Sequence, residues 1–131
     1  MDLLRESKTL DDEFFNRVLI SPRDGVHHLL YDEVMKLIRE IKASFPRIIK
    51  LESIGKSYEG RDIWLLKLEA HRFLERNGLA VNTQDKGDRK AILMTGAHHA
   101  RELVSVQMPL YMLLDLLHGL VHQDPEKLIL L

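Results

Sequence analysis

The chain has 131 residues, which is enough for one domain, or for part of one, with a hydrophobic core. Its 19 basic and 20 acidic residues leave a formal net charge of -1, so it has no electrostatic footprint for nucleic acid or for an anionic membrane surface. It contains no cysteine, which excludes disulfides, thiolate metal sites and thiol nucleophiles. Any metal site must therefore use histidine and carboxylate ligands.

Residues 1–25 are predicted to form an N-terminal extension, and residues 26–131 the body of the domain. Within the extension, apolar residues recur at helical spacing and predict a short amphipathic helix over residues 10–20, which the turn-forming residues 21–25 end. The first residues include acidic side chains and no continuous apolar run. They do not resemble a secretory signal, and we expect a cytoplasmic chain.

A helix and two strands are predicted next. Apolar residues form one stripe of a helix over residues 30–44, and Pro46 stops it. Residues 48–54 alternate enough for a strand, and residues 63–68 form a second strand of mostly apolar residues. The loop of residues 55–61 joins the two strands as a hairpin. Its two glycines are expected to supply the positive φ that such a connection needs.

The sheet is then interrupted by residues 69–90, which are predicted to hold a helical turn closed by Asn77-Gly78 and then a polar surface loop. The last helix, over residues 106–120, is apolar nearly all round and therefore needs burial on more than one side. Polar residues and Pro109 interrupt this apolar segment, so a membrane span is not predicted. The proline must lie near the first turn, because further in it would remove a backbone hydrogen bond.

The most informative stretch runs from Ala91 to Glu102. Residues 91–95 carry no charge and predict a short buried strand, and Gly96 lets the backbone turn before a following helix. In α/β proteins such a junction is where the chemistry is usually placed. His99 and Glu102 are three residues apart, which on a helical turn brings an imidazole and a carboxylate to one face, as a divalent metal requires. The spacing alone is a weak signal.

Two stretches together resemble the zinc metallocarboxypeptidases of the carboxypeptidase A/B type. The sequence Ser53-Ile-Gly-Lys-Ser-Tyr-Glu-Gly-Arg-Asp-Ile-Trp-Leu-Leu-Lys-Leu is similar to the first hairpin of that family, in which a Ser-x-Gly-x-Ser-x-Glu-Gly-Arg loop recurs. Residues 91–102 are similar to the family's strand that ends in Gly-x-x-His-Ala-Arg-Glu. The order and separation of the motifs also agree, as does the helix that ends at Phe45-Pro46. The likeness covers about residues 27–120.

The resemblance implies an α/β fold: the N-terminal portion of a mixed eight-stranded sheet with helices on both faces. About three strands and two to three helices of that fold are expected in residues 26–131. Elements that follow in the family would normally cover the last helix. We therefore expect the 131-residue chain to self-associate, or to bind a partner, through the helix of residues 106–120.

The resemblance also implies that His99 and Glu102 are two ligands of one zinc ion and that Arg101 contacts the substrate peptide. The other interpretations are a structural histidine and a surface salt bridge. A catalytic zinc takes three protein ligands and one water, whose lowered pKa supplies hydroxide for attack on a peptide carbonyl. Arginine offers a fork of donors to carboxylate and carbonyl oxygens. His98 stands where the family usually has an apolar residue, which favours an imidazole that is merely packed or that supports the ligands.

Other parts of the family site are expected beyond residue 131. These are a third zinc-binding His roughly a hundred residues after the Glu, an Asn-Arg pair for the substrate carboxylate, a Tyr, and the Glu that acts as general base. His118 and His122 cannot replace the third ligand, because they lie on the order of 24 to 30 Å along the helix from Glu102. Both are expected to be solvated, as are His27 and His28. Leu103 also differs from the Trp frequent in the family.

The sequence therefore predicts part of a zinc metallocarboxypeptidase that removes C-terminal residues from peptides or proteins by metal-activated water. The 131 residues alone are expected to be inactive, since two ligands hold zinc poorly and cannot complete a catalytic site. The alternative is a catalytically inactive carboxypeptidase-like module with a structural or peptide-binding role.

Overall fold

The computed structural model describes residues 28–79 and 91–131. In chain order the elements are α1 (Tyr31–Ser44), β1 (Ile49–Lys56), β2 (Asp62–Leu68), α2 (His71–Arg76), α3 (Val104–His122) and α4 (Pro125–Leu128). This mixture of helices with an antiparallel sheet agrees with the predicted α/β class. The predicted extension of residues 1–25, its helix, and the polar loop of residues 80–90 lie outside the described residues.

Helix α1 confirms the predicted amphipathic helix. Its apolar stripe is buried and its charged residues face outward. The Leu30 side chain offers no acceptor to the first turn, but the Glu33 carboxylate accepts a hydrogen bond of 2.8 Å from the Leu30 N–H. The helix ends at Ser44 before Pro46. There the Lys42 ammonium donates to the carbonyls of Pro46 (3.0 Å) and Ile49 (2.6 Å), which joins the end of α1 to the start of β1.

Strands β1 and β2 form the predicted hairpin. They pair in antiparallel register from Ile49 opposite Leu68 to Lys56 opposite Asp62. The pairing shifts between Ser53 and Gly55, which leaves one extra residue on β1 and forms a bulge. The described sheet therefore has two strands.

The hairpin loop is closed by Ser57, whose N–H donates to the Arg61 carbonyl (2.8 Å) and whose hydroxyl accepts from the Arg61 N–H (3.1 Å). Gly60 has φ +77, which a residue with a side chain rarely adopts, and this glycine meets the expectation. Gly55 does not: its φ is not positive, because it lies inside β1 at the bulge and not in the loop. Beside the loop, the Lys56 ammonium and the Ser53 hydroxyl lower the pKa of Asp62.

The strand predicted for residues 91–95 is absent from the described structure, which contains two of the about three expected strands. Residues 91–97 have no regular secondary structure, and Ile92 and Leu93 are 88% and 76% exposed. A strand needs a neighbour to accept and donate its ladder hydrogen bonds. Among the described residues the only ladder is the one between β1 and β2, and it does not extend to this segment.

Helix α3 is longer than predicted and is buried on one side rather than on several. Pro109 is its sixth residue, just past the first turn where it was expected, so the Ser105 carbonyl has no N–H four residues on to bind. By length and composition alone α3 could cross a membrane, as many core helices of soluble proteins could. Here one of its faces packs in the core.

The chain turns back at Gln123, which has a left-handed φ of 55, and α4 then lies against α3. Asp124 caps α4 by accepting a hydrogen bond of 3.0 Å from the Glu126 N–H. Lys127 of α4 is paired with Asp115 of α3 at 2.5 Å, and this carboxylate raises the pKa of the lysine. Gly119 gives Lys127 the room to lie there, since a Cβ at Gly119 would stand 2.4 Å from the lysine Cδ.

One hydrophobic core joins these elements. It takes one face of α1, the start of β1, the middle of α2 and the inner face of α3. Its fully buried large side chains are Ile38, Ile41, Phe45, Ile48, Ile49, Leu114 and Leu117. Gly78, with φ +67, ends α2 as the Asn77-Gly78 pair predicts. The core thus fixes α3, and the segment that precedes α3 carries the predicted metal ligands.

Candidate metal centre

The candidate centre is a turn that leads directly into α3. The Glu102 N–H donates to the His99 carbonyl at 3.0 Å, which closes a turn of four residues from His99 to Glu102. The Glu102 carbonyl in turn accepts from the Ser105 N–H at 2.9 Å, so the turn runs into the first turn of the helix. His99, Arg101 and Glu102 therefore lie together at the N-terminal end of α3, where the sequence predicted a junction between a strand and a helix.

The Ser105 side chain ties this turn to the segment before it. Its hydroxyl accepts a hydrogen bond of 2.9 Å from the Ala97 N–H and donates one of 2.5 Å to the Glu102 carbonyl. Ala97 has φ 62, a conformation that costs energy for a residue with a Cβ. Gly96 lies so close to the helix that an added Cβ would stand 2.2 Å from the Ser105 carbonyl oxygen.

The side chains that the sequence predicted as functional point away from the core. His99, Arg101 and Glu102 are exposed, and no hydrogen bond or ion pair joins their side chains to other groups in the described part of the chain. The alternative of Arg101 in a surface salt bridge thus finds no carboxylate partner within residues 28–79 and 91–131. His98 is exposed as well and does not pack against the described core.

The residues present fit two positions of a zinc site. An imidazole nitrogen and a carboxylate oxygen are both zinc ligands, and their backbone lies on one hydrogen-bonded turn. Within residues 28–79 and 91–131, no group of three or more His, Cys, Asp or Glu is arranged to hold a metal ion. The described residues thus offer His99 and Glu102 on this turn, which are two residues of zinc-ligand type.

The sequence analysis also considered four other histidines, three of which the structure describes. His28 is not simply solvated, as predicted, because it is half-buried and its Nδ1 lies 3.0 Å from the Gln107 Oε1 of α3. His118 and His122 are 16 and 20 residues after Glu102 along the chain, near the other end of α3, and their rings lie tilted by 41° with centroids 4.2 Å apart. His27 lies outside the described residues.

The contacts of Ser105 with Gly96 and Ala97 were not predicted from the sequence, which identified Gly96 only as a turn residue. The available signal was indirect: Pro109 stands four residues after Ser105, and a proline inside a helix frees the carbonyl four residues before it. Nothing in the local sequence indicates that the freed carbonyl would face Gly96. That contact depends on how the segment folds back on α3.

Comparison with known proteins supports the resemblance seen in the motifs. A family model described as "Zinc carboxypeptidase" matches residues 34–128. A zinc carboxypeptidase of Saccharothrix mutabilis subsp. capreolus is 31% identical over 84 residues, which are 64% of this chain and 16% of that protein. The inactive metallocarboxypeptidase ECM14 of Uncinocarpus reesii is 35% identical over 82 residues, or 63% of this chain and 13% of that protein.

Carboxypeptidase D of Rattus norvegicus is 33% identical over 90 residues, which are 66% of this chain and 6% of that protein. The chain thus spans 16% or less of the length of these three relatives. No solved structure gives a significant match. The matched region includes most of α1, the hairpin, α3 and the turn that carries His99 and Glu102. This 131-residue chain belongs to the zinc carboxypeptidase family.

Proposed function

We propose that this chain supplies part of a zinc metallocarboxypeptidase site that removes C-terminal residues from peptides or proteins. In this proposal His99 and Glu102 are two of the three protein ligands of one zinc ion. Zinc in such a site lowers the pKa of a bound water, and the hydroxide attacks a peptide carbonyl. Glu102 is then not available as the general base, because its carboxylate is a ligand, and the base and the third ligand lie outside the described residues.

Arg101 is proposed to contact the substrate. It stands between the two proposed ligands on the same turn, its side chain is exposed, and no described carboxylate neutralises it. A guanidinium group donates two parallel hydrogen bonds to a carboxylate, or single ones to carbonyl oxygens. A peptide held beside the metal would present both kinds of oxygen. Arg101 would hold such a peptide in place and takes no proton in the reaction.

The observation that carries the proposal is the hydrogen-bonded turn from His99 to Glu102. It brings an imidazole, a guanidinium and a carboxylate to the same end of α3, and none of the three is engaged with another described group. A metal ligand or a substrate-binding arginine must be accessible and not already bound to another protein group, and these three side chains meet that condition.

A second candidate function is a carboxypeptidase-like module without catalytic activity. The observation in its favour is that relatives in Uncinocarpus reesii and Saccharomyces cerevisiae, 35% and 26% identical, are named inactive metallocarboxypeptidases. Those names describe those proteins. For this chain they support a structural or peptide-binding role, in which the turn and its arginine bind a peptide without hydrolysing it.

Zinc titration of the 131-residue chain tests the proposed ligands. His118→Ala and His122→Ala should be introduced first, because two neighbouring histidines four residues apart on a helix can themselves bind zinc. In this background we expect weak zinc binding by calorimetry that His99→Ala or Glu102→Gln removes. The matched control is His71→Ala, a half-buried histidine on α2, which should leave zinc affinity unchanged. Zinc binding that survives His99→Ala would contradict the proposal.

A peptidase assay separates the two candidate functions. The parental chain, with zinc, is expected to leave peptides intact, because two ligands cannot complete the site. A longer chain that contains the third ligand and the general base should release C-terminal residues, detected by mass spectrometry. If that longer chain binds zinc and peptide but releases no residue, the inactive module is the correct assignment. Release that is unaffected by His99→Ala would contradict both.

A further inference from the structure

We propose that Ser105 is a positioning residue for the two metal donors, an inference that rests on the proposed function. Its hydroxyl holds the backbone on both sides of the turn from His99 to Glu102. The substrate and the metal do not touch Ser105 in this proposal. It acts through Ala97 and Glu102, and no feature of the family motifs quoted above includes it.

The first argument is the pair of hydrogen bonds that the hydroxyl makes. As acceptor it takes the Ala97 N–H at 2.9 Å, two residues before His99, and as donor it reaches the Glu102 carbonyl at 2.5 Å. A serine hydroxyl can do both at once because it has one proton and two lone pairs. The loop that contains both proposed ligands is thus closed on itself by one side chain of α3.

The second argument is that the segment is otherwise weakly held. Residues 91–104 are all exposed, so little hydrophobic burial fixes their position. Ala97 is also kept at φ 62, which is unfavourable for alanine and needs a compensating interaction. The hydrogen bond from the Ala97 N–H to Ser105 supplies that interaction and selects this backbone conformation from the alternatives.

The third argument is the close approach of Gly96 to α3. Its Cα lies where an added Cβ would be 2.2 Å from the Ser105 carbonyl oxygen. Pro109 has no N–H for that carbonyl, so this part of the helix backbone is free to face the incoming segment. The carbonyl of Ser105 therefore lies next to Gly96, and its hydroxyl binds the Ala97 N–H. Through these two contacts Ser105 fixes the position of the ligand-bearing turn on α3.

A residue that orients ligands without touching the metal should change metal affinity. Residues that hydrogen-bond to metal ligands typically raise metal affinity about tenfold or more. They hold the ligands in the binding geometry beforehand, so less conformational entropy is lost when the metal binds. Ser105→Ala deletes both hydrogen bonds and keeps a helix-compatible side chain. Ser105→Thr keeps a hydroxyl that can make the same two bonds. The pair of variants therefore separates the hydroxyl from the bulk of the side chain.

The experiment is a titration with zinc ions alone of the 131-residue chain in the His118→Ala/His122→Ala background. We expect Ser105→Ala to weaken zinc binding about tenfold and Ser105→Thr to restore it to within about twofold of the parental chain. The matched control is Ser57→Ala, which deletes another hydroxyl that accepts a backbone N–H, in the hairpin loop. This control should bind zinc as the parental chain does.

The failure of this inference differs from a failure of the proposed function. If His99→Ala abolishes zinc binding while Ser105→Ala leaves it unchanged, the assignment of the zinc ligands is supported and the positioning role of Ser105 is wrong. If His99→Ala has no effect, the ligand assignment itself is wrong. Equal losses in Ser105→Ala and Ser105→Thr would also overturn the role of the hydroxyl.

A second measurement needs no substitution and so does not depend on how a variant folds. If the bond from Ala97 to Ser105 favours the metal-binding arrangement, zinc must favour that bond in return, because coupling between two equilibria is reciprocal. Zinc should therefore slow hydrogen exchange of the Ala97 amide in the parental chain by several-fold. Exchange at Ala97 that is unchanged by saturating zinc would overturn the inference.

Discussion

Gly96 is the residue at which one methyl group would disturb the candidate centre most directly. An added Cβ would stand 2.2 Å from a backbone oxygen of Ser105, which cannot swing away as the end of a side chain can. We expect Gly96→Ala to displace the turn at a cost of about 1 to 3 kcal/mol and to weaken zinc binding. Calorimetric zinc titration measures the loss of affinity, and circular dichroism checks the helices.

The control for this substitution is Gly55→Ala. No atom lies within 4 Å of a Cβ at Gly55, and its φ is not positive, so the added methyl group meets neither a clash nor backbone strain. Gly55→Ala should keep the parental zinc affinity. Equal effects of the two substitutions would show that the clash at Gly96 does not control the turn.

Glu69 provides a pH-dependent test at the end of the hairpin. Its carboxylate is bonded to the ammonium groups of Lys50 (2.6 Å) and Lys67 (2.5 Å), which lower the pKa of Glu69 from 4.5 to about 2. Because the folded state holds the proton less tightly than the unfolded state, the contribution of this carboxylate to stability is present above pH 4.5. That contribution is lost as the pH falls towards about 2.

The measurement is the free energy of unfolding of the parental chain and of Glu69→Gln across this pH range. The difference between the two chains should shrink as the pH falls, and Lys50→Gln with Lys67→Gln should raise the pKa of Glu69 in an NMR titration. The Glu69 side chain is partly exposed, so added salt is expected to screen both ion pairs and to reduce the effect further. A difference that does not vary with pH would contradict the ion-pair explanation.

At the scale of elements, local signals were sufficient for α1, the hairpin and the end of α2. The apolar stripe and Pro46 define α1, while Gly60 and Gly78 stand where a positive φ is required. The prediction of a strand at residues 91–95 was wrong, because a strand, unlike a helix, forms its backbone hydrogen bonds with another segment. Sequence periodicity reports the preference of a segment and does not report whether a neighbour is there to pair with it.

The junction of α3 with α4 offers a test at this scale. Gln123 ends α3 with φ 55, and a left-handed conformation costs roughly 1 kcal/mol or more for a residue with a Cβ. Gln123→Gly should therefore raise the free energy of unfolding by about 1 kcal/mol, measured by urea denaturation. Gln123→Ala is the matched control, because alanine keeps the Cβ and its strain. It should be close to the parental chain, and equal gains from both would refute the backbone explanation.

At the scale of the whole molecule, the sequence predicted the location of the candidate centre better than its surroundings. The spacing of His99 and Glu102 and the family motifs were enough to identify the turn, which the structure forms by local hydrogen bonds. Ser105 could not be predicted as a partner of Ala97, because that contact depends on how the segment folds back over eight residues. The third ligand that the proposed function requires would likewise depend on long-range folding and not on a local sequence pattern.

The outer face of α3 is the feature of the whole molecule with the clearest consequence in solution. Val104, Met108, Tyr111 and Met112 are about half exposed and recur at helical spacing, which forms an apolar stripe. We propose that the 131-residue chain self-associates through this stripe at tens of micromolar. Met108→Lys with Met112→Lys should weaken the association about tenfold, because both side chains lose the chance of burial, while the helix itself is retained.

Sedimentation velocity measures the association, and a second double substitution controls for added charge. Ile54 and Tyr58 are apolar and exposed on the hairpin, at 63% and 106%, so Ile54→Lys with Tyr58→Lys adds the same two charges away from α3. That variant should associate as the parental chain does, since the stripe on α3 is intact. A monomeric parental chain at tens of micromolar would refute self-association. Equal weakening by the two double variants would show that charge, and not the stripe on α3, controls it.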